Sequence, residues 1–447
     1  MSAVGWHSRV HGLVVAQGRV LLVPSGSGWA LPAVELEGDA EVDLRLAVNA
    51  LEDLLGASVT VLRYVERLVH RDRRVLELVY VLEGPAPRAG PPGAEWAPRD
   101  RFAVLPLVRP EHRELVEHRL GEVEQGGRAP ARRAPWAAEG WLDEARGWIE
   151  ASLEALGRPP TGRVEQLRVW CLSCLLRVPT ADGAVFFKAT AASPLFVEEG
   201  SVMRGLARLF PGSVPEPLAV DPARRWMLLD DLGPELGWDA PIETRELVHR
   251  LFAEVQVESS RHVDELLELG CVDRRPGRLV TQIGELVADD EALAGLDDSE
   301  IERLRALEPR LLELCRGLAT RGVPCALVHG DLHLSNVSQI DGRYVFYDWT
   351  DACVSHPFFD LIDVFREKEE SVKTRVRDAY LSRWLDFEPR DRLLELWAET
   401  EIVAALHHAV SYRHILAGVE PGAESELEWA LPDFLRKALG AAETLRL

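Results

Sequence analysis

The sequence predicts an α+β protein: an N-terminal α+β module, then a small β-rich lobe, then a mostly helical lobe. Three observations predict this. Val- and Leu-rich runs with strand character recur at residues 7–23, 59–84 and 164–190, whereas almost everything after residue 243 has helical period. Residues 121–135, GEVEQGGRAPARRAP, are poor in large apolar side chains and read as a linker or exposed loop. Charge also divides there. Residues 1–135 carry 17 basic and 18 acidic side chains of the 51 and 73 in the whole chain, so most of the net −22 belongs to the remainder, at −21.

The elements follow in order. HSRVHGLVVAQGRVLLV gives two β runs around Gln17-Gly18, a hairpin signal. Val42–Leu55 places Leu44, Ala47, Val48, Leu51 and Leu55 on one helical stripe that ends at Gly56, a C-terminal cap. VTVLRYVERLVH and RRVLELVYVLEG are strands, residues 84–98 a Pro/Gly-rich loop, and Glu111–Leu120 a helix. In WLDEARGWIEASLEALG, Trp141, Ala145, Trp148, Ile149, Ser152 and Leu156 share a face, which reads as a docking helix with aromatic ridges. VEQLRVWCLSCLLRV and GAVFFKAT are β runs flanking Asp182-Gly183. Glu198–Phe210 is a helix ended by Pro211-Gly212, and WMLLD is a buried strand. Beyond residue 243 the exceptions to helix are ALVHG, the SQIDG turn and YVFYDW. The expected domains are 1–120, a linker and docking helix at 121–162, a β-rich lobe at 163–235, and a helical lobe at 236–447.

Composition excludes several classes of function. The acidic balance, with four lysines only, argues against a generic grip on nucleic acid or an anionic membrane. Six scattered cysteines are too few for a disulfide scaffold. The start MSAVGWHSRV has no apolar signal region, and no stretch of 18 uncharged apolar residues follows; a cytoplasmic, soluble protein is expected.

The strongest chemical signal is CALVHGDLHLSNVSQIDGRYVFYDWTDA. An apolar strand ends at His329, Asp331 and Asn336 follow five residues apart, and a hairpin leads to a second strand ending at Asp348. Phosphoryl transfer asks for this set: one carboxylate for the acceptor hydroxyl, and an amide oxygen with a second carboxylate for magnesium. A zinc site needs three or four placed ligands, and His329 and His333 supply two. Cys171 and Cys174 lie three apart on a strand run and face opposite sides, which disfavours a redox or metal role.

This segment resembles the catalytic loop of the aminoglycoside phosphotransferase and choline-kinase-like family, whose motif is HGDxxxxN followed by a strand and a metal-binding Asp; the likeness covers roughly residues 163–415. It implies a protein-kinase-like bilobal fold and ATP with Mg2+ as cofactors. Asp331 would be the catalytic base, Asn336 and Asp348 the metal ligands, His329 a brace for the loop and His333 a structural residue. Asp360 in HPFFDL would tie the helical lobe to the catalytic segment. Lys188, at the end of a β run, would serve the phosphates, paired with Glu199 or with its neighbour Glu198. The nucleotide-covering turn near 168–176 has no glycine, leaving backbone N–H groups and Ser173 to meet phosphates. Main chain near Leu228, Leu229 and Asp230 would meet the adenine edge. Asp351 stands open between a surface residue and a substrate-amine contact, and His407, His408 and Tyr412 are candidates for a substrate wall.

Residues 1–120 resemble a Nudix hydrolase domain in the order of strands and helix. The match is incomplete: Ala33 and Val34 stand where the glycines of its box belong, Asn49 and Ala50 replace Arg-Glu, and Asp53 and Leu54 replace two metal-binding glutamates. A degenerate domain serving as a cap, a substrate-shaping element or a homodimer surface is expected. Together these readings point to an ATP-dependent kinase of a hydroxyl on a small molecule, an amino sugar, aminoglycoside or other amine-bearing compound being favoured by the acidic second part. A non-catalytic nucleotide-binding or scaffolding protein is the alternative.

Overall fold

The computed structural model describes residues 5–38, 42–84, 90–124, 130, 132–423 and 426–446. Its contacts divide the chain into two units, residues 1–191 with 419–425, and 192–418 with 426–447.

The first unit opens with β1 (Trp6–Ala16), β2 (Arg19–Ser25), β3 (Gly28–Ala30) and β4 (Ala33–Gly38), then α1 (Leu44–Leu55), β5 (Thr60–His70), β6 (Val75–Glu83) and β7 (Glu95–Pro98). These strands form one sheet in the order β3-β2-β1-β6-β5, with β4 on β1 and β7 on β2; β1 runs parallel to β6. The β1–β2 hairpin turns at Gln17 and Gly18, both at positive φ, as a right-twisted two-residue turn demands. On α1 the buried residues are the five of the expected stripe, and Gly56 closes the helix in the left-handed conformation. Next come α2 (Arg99–Val104), α3 (His112–Glu124), α4 (Trp141–Ala155), β8 (Glu165–Val169), β9 (Ser173–Thr180) and β10 (Gly183–Thr190), the last three forming an antiparallel run.

Several expectations change. The loop expected at 84–98 ends in β7, because Glu95–Leu22 to Pro98–Arg19 pairing satisfies its backbone on the sheet edge. Helix α3 continues to Glu124, four residues into the expected linker; residues 85–89, 125–129 and 131 of the two expected loops lie outside the described residues. On α4 the buried face is Trp141, Leu142, Ala145, Ile149 and Leu153, while Leu156 is 45% exposed. Trp141 and Trp148 meet Phe187 of β10 edge-on, so the tryptophans are packing ridges. The run VEQLRVWCLSCLLRV breaks at Trp170–Leu172 into β8 and β9.

By contacts, strands β8–β10 fall in the first unit. The reason is specific bonding. The Gln166 amide on β8 forms both hydrogen bonds with the Val61 backbone, N–H to Oε1 and Nε2–H to carbonyl, each 2.8 Å. Arg163 grips Glu52 of α1 through two contacts of 2.6 Å. A buried ion network completes the unit: Glu122 accepts from Arg63, Arg119 and Arg133, and Arg133 also donates to Glu420. The Tyr64 hydroxyl donates to the Ala423 carbonyl, fixing segment 419–425 in this unit.

The second unit contains α5 (Glu199–Leu209), β11 (Ala219–Asp221), β12 (Trp226–Asp230), α6 (Ile242–Ser259), α7 (Val263–Glu268), β13 (Val272–Asp273), α8 (Pro276–Val287), α9 (Asp298–Leu318), β14 (Ala326–Val328), β15 (Val337–Ile340), β16 (Arg343–Phe346) and β17 (Cys353–Ser355). It ends with α10 (Ile362–Arg366), α11 (Glu370–Leu381), α12 (Arg390–Gly418) and α13 (Ala430–Thr444). The short strands β13 and β17, absent from the sequence expectation, pair with β14 in the order β13-β17-β14. Two cores support it. One gathers Phe358, Phe359, Tyr380, Trp384 and the α12–α13 helices. The other lies directly under the motif strands and holds Phe252, Leu327, Val337, Phe346, Trp349 and Val354. No helix among the described residues is long and apolar enough to cross a membrane.

Candidate active site

The site begins where the fully buried β14 stops. His329 is completely buried and bridges the two halves of the motif: Nε2–H donates to the Tyr347 carbonyl at 2.9 Å, and Nδ1 accepts from the Asp331 N–H at 3.3 Å. Both contacts suit a neutral ring, and burial lowers its pKa to about 4. Gly330 has φ +88°, and a Cβ there would meet Asp351 Cβ and carbonyl oxygen, each at 2.5 Å. Only glycine lets the chain turn that closely past Asp351.

Asp360 anchors this turn. Its Oδ1 accepts from Gly330 N–H at 2.8 Å, and Oδ2 accepts from His329 N–H at 2.8 Å and from Gln256 Nε2–H at 2.9 Å. Burial pushes the carboxyl up to about 7, against the pull of the two backbone N–H groups. The expected tie between the helical elements and the motif is therefore made by a single carboxylate.

Asp331 lies outward, its side chain 56% exposed. Its Oδ2 stands 3.5 Å from His333 Nε2. Burial of its surroundings opposes the charge, but the His333 side chain outweighs it and holds the carboxyl below its usual value; the charge of Asp348 pushes the other way. Asn336 donates Nδ2–H to the Asp331 carbonyl at 2.9 Å and approaches His333 Nε2 at 3.3 Å. That orientation leaves its Oδ1 as the acceptor end, and among the described residues no donor reaches it. The Tyr347 N–H donates to the Asn336 carbonyl at 3.1 Å, so the second strand is bonded to the catalytic loop.

Asp348 follows at φ +67°, a left-handed backbone that costs a non-glycine residue energy and that functional sites concentrate. Its Oδ1 accepts from the Thr350 hydroxyl at 3.2 Å. The buried Glu199 carboxylate accepts from Trp349 N–H at 3.1 Å and from Thr350 Oγ1–H at 3.0 Å. Glu198, by contrast, caps α5 by accepting from Ser201 N–H at 2.9 Å. The two adjacent glutamates thus differ in task, and Glu199 is the one directed at the Asp348 segment. This bond from α5 was not foreseen: nothing in the sequence near Glu199 points to residues 349–350.

Metal chemistry follows from the donor set. Asn336 and Asp348 offer hard oxygens, which fit magnesium when nucleotide phosphates and water complete the shell. Among the described residues no group of three or more His, Cys, Asp or Glu stands where it could hold a metal ion.

The remaining candidates divide. Lys188 stands half-buried on β10 of the first unit, in register with Leu175. Ser173 Oγ already accepts from the Trp170 indole N–H at 2.7 Å. Leu229 and Asp230 end β12, where the Leu228 carbonyl accepts from Leu218 N–H. Cys174 is buried, and its burial pushes the thiol up, away from reactivity. His407 is turned into the core, where the fully buried Arg274 donates to its Nε2 and to its carbonyl. His408 and Tyr412, on the shared face of α12, both stack on Phe434, at 5.0 and 5.4 Å. Burial raises the pKa of the Tyr412 hydroxyl, and the charges of Asp331 and Asp351 act in the same direction. On α1, Glu52 is engaged by Arg163 and Val59 N–H, and Asp53 is exposed.

Comparison with known proteins gives the family. Residues 178–400 match the phosphotransferase enzyme family (APH). A glucosamine kinase from Streptacidiphilus jiangxiensis is 41% identical over 61 residues, 13% of this chain and 14% of that protein's length. Among solved structures, a choline/ethanolamine kinase family protein from Mesorhizobium loti shares 17% identity over 68% of this chain and 95% of its own, with a TM-score of 0.49. A macrolide 2'-phosphotransferase from Brachybacterium faecium shares 18% over 64% and 97%, with a TM-score of 0.46. The match to the phosphotransferase enzyme family thus spans residues 178–400, just under half of the chain.

Proposed function

We propose that the protein transfers the terminal phosphoryl group of ATP to a hydroxyl of a small, amine-bearing molecule. One observation carries the reading: His329, Asp331, His333 and Asn336 form a single hydrogen-bonded array on a strand end, joined through Tyr347 to Asp348. Asp331, open to solvent and held ionised, accepts the proton of the acceptor hydroxyl as it attacks. Asn336 Oδ1 and Asp348 would hold magnesium, which when bound offsets the charge on the phosphates. Lys188 is assigned to the phosphates from its place in the sequence motif, with Glu199 as its orienting partner, and the main chain at Leu229 and Asp230 to the adenine edge. Ser173 is assigned to the phosphates as well: its oxygen accepts from the Trp170 indole N–H, and its O–H can donate to a phosphate oxygen.

The acceptor reading rests on Asp351, whose Cβ and carbonyl oxygen lie where a Cβ on Gly330, the residue before Asp331, would stand. A carboxylate there suits an ammonium group, and the glucosamine kinase, which matches over a short stretch, supports an amino sugar. The first 120 residues are proposed to keep a Nudix-like fold without its hydrolysis, since α1 presents Asp53 and commits Glu52 to Arg163.

The test is direct. Incubation with ATP, magnesium and a panel of amino sugars, aminoglycosides, amino alcohols and hydroxylated amino acids should yield one class of O-phosphorylated product by mass spectrometry. Asp331→Asn should cut turnover by roughly 10²–10⁴-fold, the scale of a lost general base. Equal turnover in wild type and variant defeats the mechanism; no product and no metal-dependent nucleotide binding favours a scaffold.

A further inference from the structure

We propose that Trp238, in the loop between β12 and α6, is a positioning residue: its indole clamps the His333 imidazole, and through it fixes the Asp331 carboxylate and the Asn336 amide in one geometry. The proposal rests on the reading of Asp331 as the base.

Two features of this loop are unexplained by packing. Trp238 is 63% exposed, although a tryptophan is the side chain with the most apolar surface to lose by exposure. Yet it is not loose: one face stacks on His333, with ring centroids 5.0 Å apart and planes 23° from parallel. The backbone brings it there. Leu236 N–H donates to the Val337 carbonyl at 2.9 Å, and Glu235 forms an antiparallel bridge with Ser338, so the loop is stitched to β15, the strand that leaves the catalytic loop. Two residues after Leu236 the indole arrives over the imidazole.

His333 needs such a restraint. Its ring makes long contacts through one nitrogen only, 3.5 Å to Asp331 Oδ2 and 3.3 Å to Asn336 Nδ2, while Nδ1 is buried with no hydrogen-bond partner among the described residues. Rotation about the terminal torsion of a histidine is broad, and hydrogen bonds to one edge leave that rotation soft. A flat surface against the ring face removes it. Asp331 is exposed, so the orientation of its carboxylate depends on His333 rather than on surrounding core. A base displaced by about an ångström can lose about two orders of magnitude in rate.

The experiment compares Trp238→Ala, Trp238→Phe, His333→Asn and the Trp238→Ala/His333→Asn double variant in full-length protein. With the acceptor that wild type phosphorylates, Trp238→Ala should lower kcat roughly 3- to 10-fold, the range one aromatic pair is worth. KM for ATP should change less than about 2-fold, and Trp238→Phe should restore kcat to within about 2-fold, since a phenyl ring preserves the stack. The double variant should be no slower than His333→Asn, because two residues acting through one contact are non-additive. Independently of turnover, the ring protons of His333, assigned in histidine-labelled protein by their loss in His333→Asn, should move downfield in Trp238→Ala as the indole ring current disappears. Wild-type kcat in Trp238→Ala, additive losses, a change confined to KM, or unmoved His333 signals would each overturn the clamp. A wild type without any transferase activity sinks the phosphotransferase reading instead, and the His333 signals still decide whether the clamp exists.

Discussion

Asp360 offers the sharpest test of how the catalytic turn is held. Its carboxylate satisfies three buried donors: two backbone N–H groups of the turn and the Gln256 amide. In Asp360→Asn the side-chain oxygen can stay on the His329 and Gln256 side, which puts an NH2 group against the Gly330 N–H. One buried donor then goes unpaired, at about 1–3 kcal/mol. In Asp360→Ala both backbone N–H groups lose their acceptor, while Gln256 Nε2 keeps the Leu327 and Pro357 carbonyls; at about 1–3 kcal/mol per unpaired donor, about 2–6 kcal/mol is expected. At about 2–4 °C per kcal/mol for a domain of this size, Tm should fall by about 2–12 °C for Asn and about 4–24 °C for Ala. Differential scanning calorimetry reads the order, and turnover at a temperature where each variant is folded reads the consequence. Turnover should drop about 10²-fold in Asp360→Ala, because Gly330 and Asp331 lose their anchor. Equal destabilisation by Ala and Asn, or full activity in Asp360→Ala, would show that the turn is held by something else.

Other expectations are briefer. Burial opposes the charge of Glu122, but Arg133 and Arg63 outweigh it and hold the carboxyl down to about 2. A depressed folded value means its contribution is present above the ordinary pKa near 4.5 and fades as pH falls toward 2; Glu122→Gln should be destabilised by about 3–5 kcal/mol at pH 7, and the gap should shrink in melts at pH 3. A gap of equal size at both values refutes the network's role. Gly330→Ala should lose both stability and turnover, since Asp351 and the positive φ leave no room for a methyl group; an active, stable variant would contradict the close approach. Lys188→Ala should abolish magnesium-dependent ATP binding in calorimetry, while Glu199→Gln weakens it less; unchanged affinity in the lysine variant removes Lys188 from the phosphate site.

Much of this was readable from the chain because local rules sufficed. The β1–β2 hairpin announces itself in Gln17-Gly18, α1 in a stripe and a terminal glycine, and the His329–Asn336 turn in a strand that ends before a glycine. What escaped depends on distance. Strands β13 and β17 are two and three residues long, too short for any period to show. The helical end of α3, GEVE, lacks an apolar stripe, and its Glu122 is explained by arginines elsewhere in the sequence. The face of α4 was misjudged at Leu156 because helical spacing names a stripe without its centre. Trp238 sits in a loop with no periodic signal, and its partner is read only through backbone bonds to β15. The bonds of β8 to the N-terminal module run from Gln166 to Val61, 105 residues away, and from the preceding Arg163 to Glu52, 111 residues away.

The excursion of residues 419–425 into the first unit bears on how the protein is made. Arg133 and Glu420 are 287 residues apart. At a synthesis rate of about 5–20 residues per second, roughly 15–60 s separate the emergence of the arginine from that of its carboxylate. During that interval the nascent first unit holds its sheet and α1, but Arg133 has Glu122 alone, with Arg63 and Arg119 competing for it. Tyr64 likewise waits for the Ala423 carbonyl. The module that is translated first is therefore completed only after residues 192–418 of the second unit have been made.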